Sequence, residues 1–200
     1  MNIGIVAGSF KPFHAGHHKM VEIAAKNNDR VDLYVSLSDR KRKGERPMLG
    51  SDMRQVWEEH LSGILPDNVN LYLLAAGTPP IRKVYELLQD ANERETEDHF
   101  TIYSDPVDIE RNYSEKQLLK YLDQDFVLEK LNKVALDRNE TVPVSGTDMR
   151  QHLADGNEEA FKDMLPYKLK DTSKQAIFDM LSGKVMQESL LRAFIRTAMD

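Results

Sequence analysis

The chain has 200 residues, of which 40% are hydrophobic, which is enough for one well-packed domain and marginal for two. Its net charge of -6 disfavours a general nucleic-acid binder, because neutralising phosphates requires a basic face. The absence of cysteine excludes disulfides, thiolate metal sites and cysteine nucleophiles.

Short β-branched runs alternate with longer amphipathic segments along the chain. The predicted strands are Asn2 to Gly8, Val31 to Leu37, Val69 to Ala75 and His99 to Ser104, with a fifth inside Lys133 to Val144. The predicted helices are His14 to Asn28, Ser51 to Leu61, Pro80 to Asn92 and Ser114 to Leu131, with Ser51 as an N-cap. Repeated β-then-α units predict an α/β fold, a Rossmann-like doubly wound parallel sheet of about five strands.

The N-terminal segment has the pattern of a strand and lacks the basic and apolar regions of a signal peptide. No apolar run approaches the roughly 20 residues that cross a bilayer. We therefore expect a cytoplasmic globular protein that contacts neither a membrane nor nucleic acid.

The pattern changes after Pro166, where apolar residues follow helical spacing from Ser173 to Ala198. We predict a main domain over residues 1–166 and a C-terminal helical extension over residues 167–200, with a break possible at Gly183. The extension is expected to pack on its own domain. The alternative is a surface for a homo-oligomer or another partner.

The stretch "GSFKPFHAGHH" follows the first strand directly. Gly8 allows a sharp turn close to a ligand, and Gly16 leaves room at the start of the next helix. His14 and His17 are three residues apart and share a helix face, while the free N–H groups of the helix start favour a polyphosphate. These features favour a role in binding nucleotide phosphates over the alternative that the histidines simply lie on the helix surface. A metal site is disfavoured because no matching ligand set accompanies these histidines.

A second motif, "VPVSGTDMR", spans Val142 to Arg150. Ser145 is predicted to cap a helix there, and Thr147 with the open N–H groups can hold phosphate. Arg150 would project from the first turn toward a β- or γ-phosphate. An ordinary capped surface helix is the alternative for this segment on its own.

These two motifs, in this order, resemble the HxGH nucleotidyltransferase superfamily, which includes phosphopantetheine, nicotinamide mononucleotide and cytidylyl transferases. The stretch "SDRKRKGERPMLGSDMRQVW" resembles the basic loop and following helix of that family. The resemblance makes Lys41, Arg42 and Lys43 candidates for closing over phosphates, although a solvated charge run is the usual explanation. Arg54 matches the helix arginine of the family and could equally be an ion-pair partner.

The resemblance implies attack by a phosphate of the acceptor on the α-phosphorus of a nucleoside triphosphate. It implies catalytic roles for Lys11, His14, His17 and Arg150, with Mg²⁺ carried by the nucleotide phosphates. The implied binding residues are Gly8, Ser9, Phe10, Gly16, Lys41, Lys43, Arg54, Asp105, Ser145, Gly146 and Thr147.

The resemblance does not decide which donor and which acceptor the chain uses, because members of this superfamily differ in both. ATP and nicotinamide mononucleotide, giving NAD, are the first expectation, because "SGTDMR" is similar to the archaeal nicotinamide type. Ser9 is closer to the phosphopantetheine type, and a cytidylyltransferase using CTP is a further alternative. A non-catalytic nucleotide-binding protein is the alternative of another class.

Overall fold

Five β-branched segments form one sheet in the computed structural model of the chain, which describes residues 1–43, 45–137 and 140–183. The strands are β1 (Asn2–Gly8), β2 (Arg30–Ser36), β3 (Val69–Leu74), β4 (His99–Ser104) and β5 (Leu131–Ala135). Their order is β3-β2-β1-β4-β5, and every pairing is parallel. The predicted α/β doubly wound sheet is therefore confirmed. Its strand order reverses between β1 and β4, where ligands bind in such sheets.

Helices cover both faces of this sheet. They are α1 (Ala15–Asn27), α2 (Gly50–Val56), α3 (Pro80–Glu93), α4 (Pro106–Tyr113), α5 (Glu115–Leu118), α6 (Gln124–Glu129), α7 (Gly146–Asp155), α8 (Glu158–Asp163) and α9 (Asp171–Ser182). A π-helical turn, Trp57–Leu61, and a 3-10 turn, Ser62–Ile64, extend α2. Within the described ranges, the helices all fall short of the length and apolarity that a bilayer span requires.

Alternate side chains of β1 enter two separate cores, as the period of a strand dictates. Val6 packs into a core that includes side chains of α1, α2, α7 and α9, whereas Ile3 and Ile5 pack into a second core with α3 and α6. Both faces of the central strand are thus buried, which explains why its sequence is a nearly continuous apolar run.

The C-terminal segment joins the first of these cores through α9. Ile177, Phe178 and Leu181 of α9 are buried there. The helix ends at Ser182, and Gly183 follows in the left-handed conformation with a φ of 73°. The part of the predicted helix from residue 184 to 198 lies outside the described residues.

The structure corrects the sequence predictions for the helix before the fifth strand and for the fifth strand itself. The single helix predicted from Ser114 to Leu131 is wrong: α5 and α6 occupy this stretch, and Leu131 already begins β5. The break follows from a contact with α3, because Asn92 accepts a bond from the Asp123 N–H and donates one to its carboxylate. The fifth strand accordingly begins two residues before the predicted stretch.

Ser51 is not the N-cap of α2, since this helix begins at Gly50 with Leu49 before it. The Gly50 N–H instead donates to Asp39 Oδ1 at 2.9 Å. This bond draws the start of α2 against the end of β2, so that a Cβ at Gly50 would overlap the Leu37 carbonyl oxygen.

We predict that Gly50→Ala lowers the free energy of unfolding by about 3 kcal/mol, because backbone must move to admit the methyl group. The matched control is Gly63→Ala, whose Cβ would meet nothing within 4 Å. The control is expected to change the free energy of unfolding by less than about 0.5 kcal/mol. Urea denaturation followed by circular dichroism measures both. Equal effects of the two substitutions would contradict the close packing assigned to Gly50.

Candidate active site

The segments that follow three parallel strands meet at the carboxyl edge of the sheet, together with the start of α7. They are the turn after β1, the loop after β2 and the start of α4 after β4. Because the sheet is parallel, each segment leaves its strand at the same edge.

The turn after β1 folds back on itself around an aromatic side chain. Phe10 has a φ of 47°, and its ring lies over Gly8, where a Cβ would come within 2.8 Å of the ring. The same ring packs edge-on against Phe13 at 5.7 Å and against His17 at 4.8 Å between centroids. Gly8 is therefore needed for the turn to close, and the turn builds an aromatic wall beside the histidine.

His14 and His17 form a stacked pair at the start of α1. Their ring centroids are 3.5 Å apart and their planes differ by 18°. The sequence predicted that His14 lies inside the helix. In the structure it is instead the N-cap, and its Nδ1 accepts a bond from the His17 N–H at 3.3 Å. The cap fixes one ring, and the stacking fixes the other against it.

The protonation of His17 is set by its surroundings. Burial, and to a smaller extent the neighbouring His14, lowers the pKa of His17 well below 6.5. The ring is therefore neutral at neutral pH and can donate an N–H to an anionic oxygen. In the described part of the chain, its Nδ1 is buried without a hydrogen-bond partner.

His18, the third histidine of the motif, points away from this pair. Its ring is buried, with Nε2 3.3 Å from the Ile64 carbonyl oxygen and Nδ1 3.9 Å from a Glu22 carboxylate oxygen. His18 therefore serves the packing of α1 and not the candidate site.

Lys11 is buried at the base of the turn and donates from Nζ to the Ser38 carbonyl oxygen, which links the turn to the loop after β2. Burial lowers the pKa of Lys11, and the charge of Asp39 opposes this shift. The lysine thus brings a partly desolvated positive charge to the site.

The start of α7 supplies the second cation. Ser145 caps the helix as predicted, its Oγ accepting from the Asp148 N–H at 3.1 Å. Arg150 is only 7% exposed and donates to the Lys11 carbonyl oxygen at 2.9 Å, to Thr147 Oγ1 at 3.0 Å and to Glu45 Oε2 at 2.9 Å. The arginine predicted from the second motif thus lies beside the lysine predicted from the first.

Two adjoining cavities open along these segments. The apolar cavity, of about 450 Å³, is lined by Gly16, Met20, Val107, Leu136, Val142 and Val144 among others. The charged cavity, of about 580 Å³, is lined by Lys11, Arg40, Asp105, Asp108, Arg111 and Arg150 among others. His14, His17, Met20, Asp105 and Gly146 line both.

Gly16 has a definite role at the apolar cavity. A Cβ there would lie 2.9 Å from the Val142 carbonyl oxygen, so only glycine lets α1 approach this backbone. The helix start and the residues Thr141, Val142 and Val144 together line the apolar cavity.

Most of the predicted site residues are brought together. The predicted residues that line one or both cavities are Gly8, Ser9, Phe10, Lys11, His14, Gly16, His17, Asp105, Ser145, Gly146, Thr147 and Arg150. Three predicted residues lie elsewhere. Lys41 is exposed and paired with Asp39 at 2.8 Å, Lys43 is exposed, and Arg54 is exposed and paired with Glu58 at 3.1 Å.

Sequence reasoning missed the contribution of Arg40, Asp108 and Met20 to the cavities. Arg40 begins a basic run, and nothing in the local sequence distinguishes it from Lys41, Arg42 and Lys43, which follow it. Asp108 was detectable, because "DPVD" contains a capping residue followed by proline, and Asp105 Oδ1 accepts from the Asp108 N–H at 2.9 Å.

The arrangement is suited to a nucleotide. The apolar cavity fits a base, the charged cavity offers cations for phosphates, and two imidazoles lie where the cavities join. Neutral imidazole N–H groups and fixed cations stabilise charge that develops on phosphate oxygens.

Comparison with known proteins gives a match to a family model and a likeness of fold. A family model described as cytidylyltransferase-like matches residues 5–152. A bifunctional NMN adenylyltransferase/ADP ribose pyrophosphatase of Francisella tularensis, complexed with AMP and a manganese ion, has a similar fold with a TM-score of 0.55 and 16% identity. A second structure of that bifunctional protein gives a TM-score of 0.54 and 18% identity.

In both comparisons the match covers 99% of this chain and 56% of the Francisella chain, so the chain spans little more than half of that protein. At these identities the likeness is one of fold. No curated protein sequence matches the chain significantly.

We predict that acid destabilises the protein partly through His17. The unfolded chain protonates this histidine near its ordinary pKa of 6.5, whereas the folded chain keeps it neutral. The unfolded state therefore binds more protons, and stability falls as the pH drops from about 7 to about 5.

His17→Gln should reduce the fall of the melting temperature over this range, measured by differential scanning fluorimetry. A residual slope is expected, because burial also lowers the pKa of His18. The exposed His99, changed to Gln, is the control for removing a histidine. An unchanged slope in His17→Gln would contradict the neutral state assigned to the ring.

Proposed function

The chain belongs to the cytidylyltransferase-like family of HxGH nucleotidyltransferases, and from this premise we propose that it transfers a nucleotidyl group from a nucleoside triphosphate to a phosphorylated small molecule. The observation that carries the proposal is the stacked His14–His17 pair where the apolar and charged cavities join. A triphosphate whose base occupies the apolar cavity passes this pair as it enters the charged cavity.

The chemistry is a displacement at the α-phosphorus. A phosphate oxygen of the acceptor forms the new P–O bond, the bond between the α-phosphorus and the α–β bridging oxygen breaks, and pyrophosphate leaves with the bonding electrons. The protein needs no covalent step, because positioning and charge stabilisation supply most of the catalysis. Neutral His17 donates an N–H, while Lys11 and Arg150 offset the charge on the transferred and leaving groups.

Mg²⁺ is proposed to enter with the triphosphate, bound to the phosphate oxygens, as this ion commonly does. Among the described residues, no cluster of three or more His, Asp or Glu side chains could hold a metal ion. The ion would lower the negative charge of the triphosphate beside Asp105 and Asp108.

The acceptor is proposed to be nicotinamide mononucleotide, with ATP as donor and NAD as product. The charged cavity carries both signs of charge: Lys11, Arg40, Arg111 and Arg150 are cations, whereas Asp105 and Asp108 are carboxylates, of which Asp108 is paired with Arg111 at 3.3 Å. Nicotinamide mononucleotide has a matching pattern, with an anionic phosphate and a cationic pyridinium ring. The activity named for the similarly folded Francisella protein makes this acceptor the first to test.

A cytidylyltransferase is the second candidate, on the same observation. A phosphorylated amine also carries an anionic phosphate and a cationic amine, and would fit a cavity that is lined by residues of both charges. A phosphopantetheine-type acceptor lacks the cation and therefore fits less well. A nucleotide-binding protein without catalysis would occupy the same cavities but release no pyrophosphate.

We predict that the full chain, incubated with Mg²⁺, ATP and nicotinamide mononucleotide, releases pyrophosphate and forms dinucleotide in equal amounts. His17→Ala should lower the rate about 100-fold or more, the usual effect of losing one preorganised donor. His99→Ala, at an exposed position away from both cavities, is the matched control. Chromatography of the dinucleotide and a coupled pyrophosphate assay measure the two products.

Three other outcomes are informative. Pyrophosphate release with CTP and a phosphorylated amine, but not with ATP, would change the proposed donor and acceptor. The proposed nucleotidyl transfer itself would stand. Binding of ATP by calorimetry, without pyrophosphate release from any tested pair, would support the non-catalytic alternative. Full activity in His17→Ala would overturn the role assigned to the histidine pair.

A further inference from the structure

A carboxylate lies between two arginines that line the charged cavity. Glu45 accepts two bonds from Arg40, with Nε 3.0 Å from Oε2 and Nη2 3.2 Å from Oε1. Its Oε2 also accepts from Arg150 Nε at 2.9 Å. Glu45 itself does not line the cavity, so it bonds both guanidinium groups from outside the cavity.

The bonds leave a definite set of donors for a ligand. A guanidinium has five N–H donors, and Arg150 uses three of them on Glu45, the Lys11 carbonyl oxygen and Thr147. Arg40 uses two of its five donors on Glu45. Within the described part of the chain, two donors of Arg150 and three of Arg40 therefore remain for an anion in the cavity.

The charge of Glu45 makes this arrangement possible. Two guanidinium groups near one another repel, and an ionised carboxylate between them removes most of that repulsion. Hydrogen bonds from Arg40, together with the charge of Arg150, lower the pKa of Glu45 below its ordinary value, so it is ionised at neutral pH. The three side chains together keep one net positive charge.

The backbone around Glu45 is fixed at both ends of its loop. Arg40 and Met48 exchange two backbone hydrogen bonds, of 2.8 Å and 2.9 Å, which close the loop at its base. Arg46 Nε donates to the Leu181 carbonyl oxygen at 2.7 Å, which ties the next residue to the end of α9. The Arg40–Met48 pair and the Arg46 bond therefore anchor the described residues on both sides of Glu45 in space.

We propose that Glu45 is a positioning residue, which aligns Arg40 and Arg150 so that their remaining N–H donors bind the triphosphate. The proposal rests on the proposed function and deepens it, because it assigns the phosphate contact of the basic loop to Arg40. The loop lysines fit this role less well: Lys41 pairs with Asp39, and neither Lys41 nor Lys43 lines the charged cavity.

The test is the binding of inorganic tripolyphosphate to the full chain, measured by isothermal titration calorimetry without any turnover. Glu45→Gln keeps the size of the side chain but removes its charge, and we expect the affinity to fall about tenfold. Glu45→Asp keeps the charge and should recover part of the loss. Glu86→Gln is the matched control, because Glu86 also bridges two cations, Arg82 and Lys83, outside both cavities.

A double-mutant cycle with Arg40→Ala separates positioning from general destabilisation. If Glu45 acts through Arg40, the loss in Arg40→Ala/Glu45→Gln will be smaller than the sum of the two single losses. In the transfer assay the same variants should raise the KM for the triphosphate more than they lower kcat. The melting temperature of each variant is measured alongside.

Two results would overturn the proposal. Unchanged affinity in Glu45→Gln would show that the arginines need no alignment. Tighter binding would show that the carboxylate competes with phosphate for the arginines. Because calorimetry needs no turnover, a chain that binds tripolyphosphate through Glu45 yet transfers no nucleotide would remove the proposed function and leave the positioning role standing.

Discussion

The site depends on one buried guanidinium that reaches three separate segments. Arg150 bonds to the Lys11 carbonyl oxygen in the turn after β1, to Thr147 in its own helix and to Glu45 in the loop after β2. Burying an arginine to 7% exposure is costly unless its charge and most of its donors find partners. The cost of leaving them unpaired therefore forces the three segments into one arrangement, and the charged cavity lies between them.

The histidine pair depends in turn on close backbone approach. Gly8 admits the Phe10 ring, and Gly16 admits the Val142 carbonyl oxygen, so no side chain separates these segments. The resulting wall of Phe10 and Phe13 removes water from one side of His17 and keeps the imidazole neutral. A neutral imidazole can donate to phosphate without holding the leaving pyrophosphate as tightly as a full cation would.

Local patterns were enough to predict the sheet and both motifs, because a strand period and a helix cap are properties of a few neighbouring residues. The single helix predicted from Ser114 to Leu131 failed because Leu118, Leu122 and Phe126 keep helical spacing across the break between α5 and α6. That break depends on the bond of Asp123 to Asn92, 31 residues away. The choice of Arg40 over Lys41 depends on Glu45 and Arg150, which are 105 residues apart in the sequence. The local sequence of a basic run does not reveal which of its side chains contacts a residue from a distant segment.

The charge of the whole chain and the charge of the residues that line the charged cavity have opposite signs. A net charge of -6 repels nucleic acid over distances of a Debye length, about 8 Å at physiological salt. Lys11, Arg40, Arg111 and Arg150 line a cavity of about 580 Å³, and the buried charges of Lys11 and Arg150 are screened by salt less than exposed charges are. Burial and Asp105 raise the pKa of Asp108 in the same cavity, and the charge of Arg111 opposes this shift. A cation of the ligand, either within its structure or as a bound metal ion, would offset the carboxylate charge that Arg111 leaves at that end of the cavity.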